Sequence, residues 1–153
     1  MLDNLILRTA DKRDLPQLVR LLAEDALGTT REVLTEPLSE NYHLAFQEIT
    51  EDKNQTLLVV EYDHTVIGSC HLTVIPSLSF QGSRRLTLEN IHIDKRYQGQ
   101  GIGTWMIEQA LALGREKGCK IIQLTTNKER FRAIAFYKKL GFKATHEGMK
   151  LYL

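Results

Sequence analysis

The stretch RYQGQGIGTW, Arg96 to Trp105, places glycines at 99, 101 and 103 directly ahead of an apolar-periodic run. A glycine inside a helix costs about 1 kcal/mol relative to alanine, so these three do not serve helix stability. RRLTLENIHI (Arg84 to Ile93) has strand character and leads straight into them, and a helical pattern follows. Strand, glycines, helix is an arrangement that holds phosphate. The first-turn N–H groups lack intrahelical partners, the helix dipole favours an anion there, and absent side chains let a ligand approach. The alternative is a tight strand-to-helix turn packed closely on the sheet. Two familiar phosphate loops are excluded. GIGTW offers no lysine for a P-loop, and Thr104 occupies the slot where a dinucleotide fingerprint needs its third glycine.

The whole chain, 1–153, is sized for a single domain with its own core. Twenty basic against nineteen acidic residues give a net charge of +1, no electrostatic footprint for nucleic acid. Cys70 and Cys119 form no CxxC pair, which suits a reducing compartment. MLDNLILRTADKRD reaches charge too early for a signal peptide, and no run approaches a membrane span. A soluble cytoplasmic protein is expected, with no membrane partner. His43, His64, His71, His92 and His146 are scattered without the i, i+4 spacing of a zinc helix, so no metal site is expected.

Outward from the glycines the pattern alternates. LILRTA (Leu5 to Ala10) predicts a first strand, and DKRDLPQLVRLLAEDAL a helix with Leu15, Leu18, Val19, Leu22 and Ala26 on its apolar face. A second helix is expected around Tyr42, Leu44, Ala45, Phe46 and Ile49. TLLVVEY and TVIGSCHLTVI flank Asp63 and His64 as a hairpin, with Pro76 limiting the second strand. Ile102, Trp105, Met106, Ala110 and Leu113 make one helical face that Gly118 closes. KIIQLTT predicts a buried strand, RAIAFYKKLG a last helix, and FKA with MKLYL two closing strands. This is an α/β mixture with parallel pairing near the middle.

Arg96-x-x-Gly99-x-Gly101 resembles the coenzyme A pyrophosphate loop, [QR]-x-x-G-x-[GA], of the GNAT superfamily of N-acetyltransferases. The resemblance spans nearly the whole chain: LILRTADKRD with Arg8 and Asp14, VIGSCHL, ENIHI, and AIAFYKKLGF follow in the family's order. It implies a mixed, mostly antiparallel sheet splayed between strands 4 and 5, flanked by about four helices, with acetyl-CoA as co-substrate in the splay. It also implies coenzyme contacts from Ile91, His92 and Ile93, from Arg96, and from the backbone of Gln98, Gly99, Gln100, Gly101, Ile102, Gly103 and Thr104. An N–H near Ile91 would polarise the acetyl carbonyl, as one oxyanion-hole donor worth about 2.7–4 kcal/mol.

Tyr137 matches the tyrosine that the family often places near the departing sulfur; its alternative is a core aromatic beside Phe136. A phenol near ~10 and a thiol near ~8.5 put full proton transfer about 2 kcal/mol uphill. Glu89 is the first candidate base, with His92 second. Taking a proton from an ammonium of ~10.4 onto a carboxyl of ~4.3 costs roughly 8 kcal/mol in water, so a water relay or a neutral amine is needed. Period 2 puts Glu89, Ile91 and Ile93 on one strand face, Asn90 and His92 on the other. Where many members carry a coenzyme-touching asparagine this chain has Arg130, with Asn127 three residues earlier. Arg130 has three candidate partners: a coenzyme phosphate, an anionic substrate group, or solvent.

LTTNKERFRAIAFYKKLGF is similar to small-molecule members such as aminoalkylphosphonate acetyltransferases, so a small amine is the expected acceptor. Cys70 and Cys119 lie outside the motifs, which leaves direct attack in a ternary complex rather than an acetyl-cysteine intermediate. The rivals are a protein or peptide N-acetyltransferase, a non-catalytic acyl-CoA-binding regulatory module, and a nucleic-acid-binding regulator. IPSLSFQGSRR, apolar residues beside paired arginines, has two candidate roles: lining the acceptor pocket or packing in a homodimer.

Overall fold

The computed structural model describes residues 1–25 and 30–153. Its strands are β1 (Ile6–Thr9), β2 (Gln55–Tyr62), β3 (Thr65–Ile75), β4 (Arg84–Ile93) and β5 (Cys119–Leu124), adjacent in chain order. The helices are α1 (Leu15–Glu24), α2 (Glu40–Glu51), the single turn α3 (Ser79–Gly82), α4 (Ile102–Glu116) and α5 (Phe131–Lys139). The first three junctions of the sheet are antiparallel. β4 and β5 run parallel, which needs a crossover, and α4 supplies it. The expected mixed, mostly antiparallel α/β sheet is therefore the fold.

Local chemistry sets the joints. Asp63 and His64 both take left-handed backbone, φ 47° and 59°, the two-residue turn that matches the twist of a hairpin. β3 stops at Ile75, just ahead of Pro76, and left-handed Gly118 (φ 76°) ends α4. On one face of the sheet Leu58, Val60, Cys70, Leu72, Leu86 and Leu88 pack against Ile102, Met106, Ile107 and Ala110 of α4. On the other, Val59 and Val66 meet Leu18 and Leu21 of α1.

Four expectations shift. On α1 the buried set is Leu15, Leu18, Val19 and Leu21, with Leu22 half-buried; Ala26 lies outside the described residues. α2 forms where expected but buries no residue completely. FKA and MKLYL are not strands: residues 141–153 join no ladder, and Met149, Leu151, Tyr152 and Leu153 are each at least 86% exposed. A segment gains strand stability from strands paired beside it, and among the described residues none pairs with these. In IPSLSFQGSRR, Leu78 and Phe80 are exposed at the turn where β4 begins. Neither is among the residues that line the cleft described below.

β1 is tied to α1 by charge. Arg8 donates to both carboxylate oxygens of Asp14 (2.7 and 2.9 Å) and to Glu61 (2.8 Å). The Arg8 hydrogen bonds, outweighing the opposing effect of burial, hold the Asp14 carboxyl below its ordinary range.

Candidate active site

β4 stays with β3 as far as the pair Gly68↔Ile93, but its ladder with β5 ends at Leu88↔Leu124. β5 itself ends there, leaving the β4 edge beyond it without a ladder partner among the described residues, and a cleft opens beside residues 91–93. Asp94 N–H donates to Ile67 on β3 at 2.8 Å. By strand alternation the backbone of His92 also faces β3, and that of Ile91 and Ile93 faces the cleft. Consistent with this, the Ile93 carbonyl accepts from the Gln98 side chain at 2.9 Å.

The period-2 assignment of the β4 side chains does not survive. Asn90 has φ 49° inside the strand, and the register runs His71↔Glu89 then Ser69↔His92. Two β4 residues therefore oppose Cys70 alone, a bulge that shifts the faces by one. Glu89 and His92 consequently share one face, with Ser69 and His71, and Ser69 pairs with Val59 on the α1 side. Bulges cluster next to active sites because they re-aim side chains.

The glycine loop follows directly. Gly99 (φ 76°) and Gly101 (φ 83°) are left-handed, and a Cβ on either would meet nothing within 4 Å. Their backbone, not crowding, requires glycine, and the space above them is open. The first bond of α4 runs from Trp105 N–H to Gly101 C=O at 3.0 Å, so the N–H groups of Ile102, Gly103 and Thr104 have no intrahelical acceptor. No acidic residue sits in that first turn. Gly103 differs from the other two. A Cβ there would contact Phe136 Cζ at 3.5 Å and Ile93, so it faces the packing side. Gln100 folds back to donate to the Arg96 carbonyl at 3.2 Å.

Asp94, which sequence reasoning missed, anchors this loop. It is 2% exposed and accepts from Arg96 N–H (2.9 Å), Arg96 Nε (3.1 Å) and Arg96 Nη2 (2.7 Å). Arg20 of α1 reaches it at 3.5 Å. The Arg96 side chain is thus committed to Asp94, although it remains mostly exposed at the loop's rim. The signal was present in D-K-R-Y, an aspartate capping a turn with its own i+2 N–H. The Arg96 hydrogen bonds, ahead of opposing burial, lower the Asp94 pKa. Asp14 and Asp94 both have folded values below their unfolded ones, so their stabilisation is present above ~3.9 and is lost as pH falls through the folded values. The urea midpoint should ease down below about pH 6.5, where unfolded histidine takes up a proton that half-buried His92 resists, and drop further as pH falls below about 4. Asp94→Asn should flatten part of that drop; an unchanged profile would show Asp94 to be energetically silent.

The cleft, about 260 Å³, takes Leu21, Glu24 and Asp25 from the end of α1, Ile91, His92 and Ile93 from β4, and Lys95, Gln98 and Arg130 from the loops. Arg130 forms an ion pair with Asp25, a carboxylate of the chain itself. Asn127 is exposed and caps the turn before α5, accepting from Glu129 N–H at 2.9 Å. His92 is half-buried, and desolvation, against the opposing Asp25 charge, pushes its pKa below the ordinary imidazole value. It is therefore neutral at pH 7. Glu89 is exposed and lies outside the cleft lining, opposite His71. Tyr137 stacks edge-on between Phe136 (5.2 Å) and Phe142 (6.0 Å). Burial first, then Cys70, raises its phenol to about 12. The Cys70 thiol is itself buried and pushed up to about 12 by desolvation, which suits no nucleophile.

Residues 16–142 match the model of the Acetyltransferase (GNAT) family. The chain belongs to that family. A glucosamine 6-phosphate N-acetyltransferase from Trypanosoma brucei brucei is 31% identical over 88 residues, a stretch covering 58% of this GNAT chain and 58% of that protein. A transcriptional regulator from Bacillus halodurans C-125 is 42% identical, with a TM-score of 0.95 over 97% of this chain and 99% of that one. A predicted acetyltransferase with acetyl-CoA from Clostridium acetobutylicum shares the fold, with 20% identity and a TM-score of 0.76 over 97% and 96% of the two chains. The GNAT assignment agrees with the cleft where the β4–β5 ladder ends and the glycine loop beyond it.

Proposed function

We propose that this GNAT domain is an N-acetyltransferase that moves the acetyl group of acetyl-CoA onto the primary amine of a small molecule, by direct attack in a ternary complex. The observation that carries the reading is the end of the β4–β5 ladder at Leu88, with the Ile91 and Ile93 backbone facing a cleft that ends at the glycine loop. In this reading, Ile91 and Ile93 hydrogen-bond the pantetheine arm. The N–H groups of Gln98 to Thr104 receive the pyrophosphate at the start of α4. Arg96 lends positive charge at the rim, and Arg130 and Asn127 stand at the mouth before α5.

The amine nitrogen attacks the thioester carbon, the C–S bond breaks, and the thiolate leaves with the sulfur electron pair. The N–H at Ile91 stabilises the carbonyl oxygen as it gains charge. Tyr137 donates a hydrogen bond to the sulfur. The amine proton passes to Glu89 through water, or to neutral His92. A pH–rate profile separates these bases: loss of the acidic limb in Glu89→Gln assigns Glu89, and its loss in His92→Gln assigns His92.

The Trypanosoma relative acts, by its name, on an amino sugar phosphate, which favours a small amine carrying an anionic group over a peptide. The Bacillus halodurans neighbour favours a second reading, a regulatory module that binds acetyl-CoA without turnover. One experiment separates them. At a hundredfold excess over Kd, acetyl-CoA should add about 2.7 kcal/mol of stability, a rise in Tm of roughly 5–10 °C for a chain of this size. Thiol release across a panel of amines should then show turnover. No shift would sink the acetyl-CoA reading, and a shift without thiol release would favour the regulatory module.

A further inference from the structure

His71 is a half-buried histidine within β3 that the proposed reaction leaves unused. Its partner across the ladder is Glu89, and directly opposed residues share a face with Cβ atoms about 4.5–5.5 Å apart. Toward β2, on that same face, His71 Nε2 lies 2.7 Å from Gln55 Oε1. The sheet order β2-β3-β4 therefore sets His71 between Gln55 and Glu89.

What holds Gln55 fixes the tautomer of the ring. Asp52, which ends α2, accepts from Gln55 Nε2 at 2.9 Å and from Asn54 N–H at 2.9 Å. A carboxylate only accepts, so the Gln55 amide turns its nitrogen to Asp52 and its oxygen to His71. Two acceptors cannot share a bond, so Nε2 carries the proton and Nδ1 keeps its lone pair. Charged neighbours are Glu89 on β4 and, behind Gln55, Asp52 with Lys53 at the end of α2. Burial holds the imidazole below its ordinary value, against the opposing Glu89 charge. The ring is therefore neutral at pH 7 and open to one more proton.

We infer that His71 acts through Glu89, as a positioning residue that takes over at Nδ1 the proton Glu89 receives from the attacking amine. This rests on the acetyl-transfer reading, in the form that uses Glu89 as base. After attack the amine nitrogen sheds one proton and keeps the N–H electron pair. That proton reaches the Glu89 carboxylate through water and then moves from its O–H to Nδ1. Glu89 is a carboxylate again, and the imidazolium lies between two acceptors, Glu89 and Gln55 Oε1. A carboxyl near ~4.3 holds a proton poorly at pH 7, and an imidazole near ~6.5 holds it better. The proton leaves to solvent by way of exposed Glu89.

Heteronuclear NMR of the intact chain with nitrogen-labelled histidines, His71 being assigned by its loss in His71→Gln, should show the Nε2–H form. Its titration should move to lower pH in Glu89→Gln, since losing a facing carboxylate leaves the imidazolium less stable. An Nδ1–H ring, or a titration indifferent to Glu89, would overturn the relay whether or not any amine is acetylated. In kinetics, His71→Gln can keep a bond to Gln55 but takes no proton. It should lower kcat at pH 7 about tenfold or more, leave the KM for acetyl-CoA within about twofold, and shift the acidic limb of the pH–rate profile to lower pH. Thiol release with an unmoved limb would make His71 a structural residue. No thiol release from any amine by the wild-type chain would instead sink the acetyl-transfer reading beneath it.

Discussion

Tyr137→Phe should lower kcat by about 10²-fold or more and leave the affinity for acetyl-CoA within about twofold. The phenol, raised to about 12 by burial ahead of the Cys70 effect, is protonated across any practical assay. Wild-type activity should accordingly show no basic limb from this group below about pH 10. Full transfer of its proton to a thiolate near 8.5 would be uphill by roughly 5 kcal/mol, more than an unperturbed tyrosine implies. In the proposed reaction Tyr137 would thus serve as a hydrogen-bond donor to the sulfur while the C–S bond lengthens, and solvent would protonate the released thiolate. Steady-state kinetics with a coenzyme titration checks this. Equal losses in kcat and coenzyme affinity, with a lowered Tm, would make Tyr137 part of the Phe136–Phe142 aromatic stack and nothing more.

Gly101→Val should weaken coenzyme A binding roughly 10- to 100-fold, the loss of one or two charge-assisted hydrogen bonds. A side chain at φ 83° costs on the order of 1–2 kcal/mol in backbone strain, so the loop relaxes and its N–H groups lose their common aim. Gly103→Ala should keep affinity within about threefold. Its Cβ meets Phe136 at an ordinary 3.5 Å, and the helix gains up to about 1 kcal/mol from replacing glycine. Calorimetric titration with coenzyme A, alongside thermal melts, measures both. Equal damage from the two substitutions would mean that the glycines are needed for packing alone.

That contrast also shows what was legible in the residues. RYQGQGIGTW announces its own geometry because glycine is informative where φ is positive, and Gly99 and Gly101 are left-handed. Gly103 has the same letter for a different reason, close packing, which the spacing does not reveal. The faces of β4 were misassigned because Asn90 bulges there, and a bulge inserts one residue without any mark in the hydrophobic pattern. Asp25 went unnoticed because its partner Arg130 is set by tertiary approach; Asp94 has a local partner in Arg96, but a buried carboxylate and an exposed one are spelled alike. MKLYL has strand composition, but composition does not say where a strand finds its neighbour. The helices, hairpin and β4–α4–β5 crossover needed no such distant information, and they stand as expected.

The buried Asp94 has a consequence for how tightly this loop holds an anion. Its three acceptor contacts with Arg96, and its tether to Arg20 on the neighbouring helix, fix the chain just before the glycines. Glycine-rich segments are ordinarily the most disordered in a protein, and ordering them on binding subtracts from affinity. Here the contacts of Asp94 with Arg96 and Arg20 hold the entry to that segment already in the folded chain. The glycines can therefore stay permissive in conformation while the chain that leads into them is fixed, which would spare a bound anion part of that ordering cost.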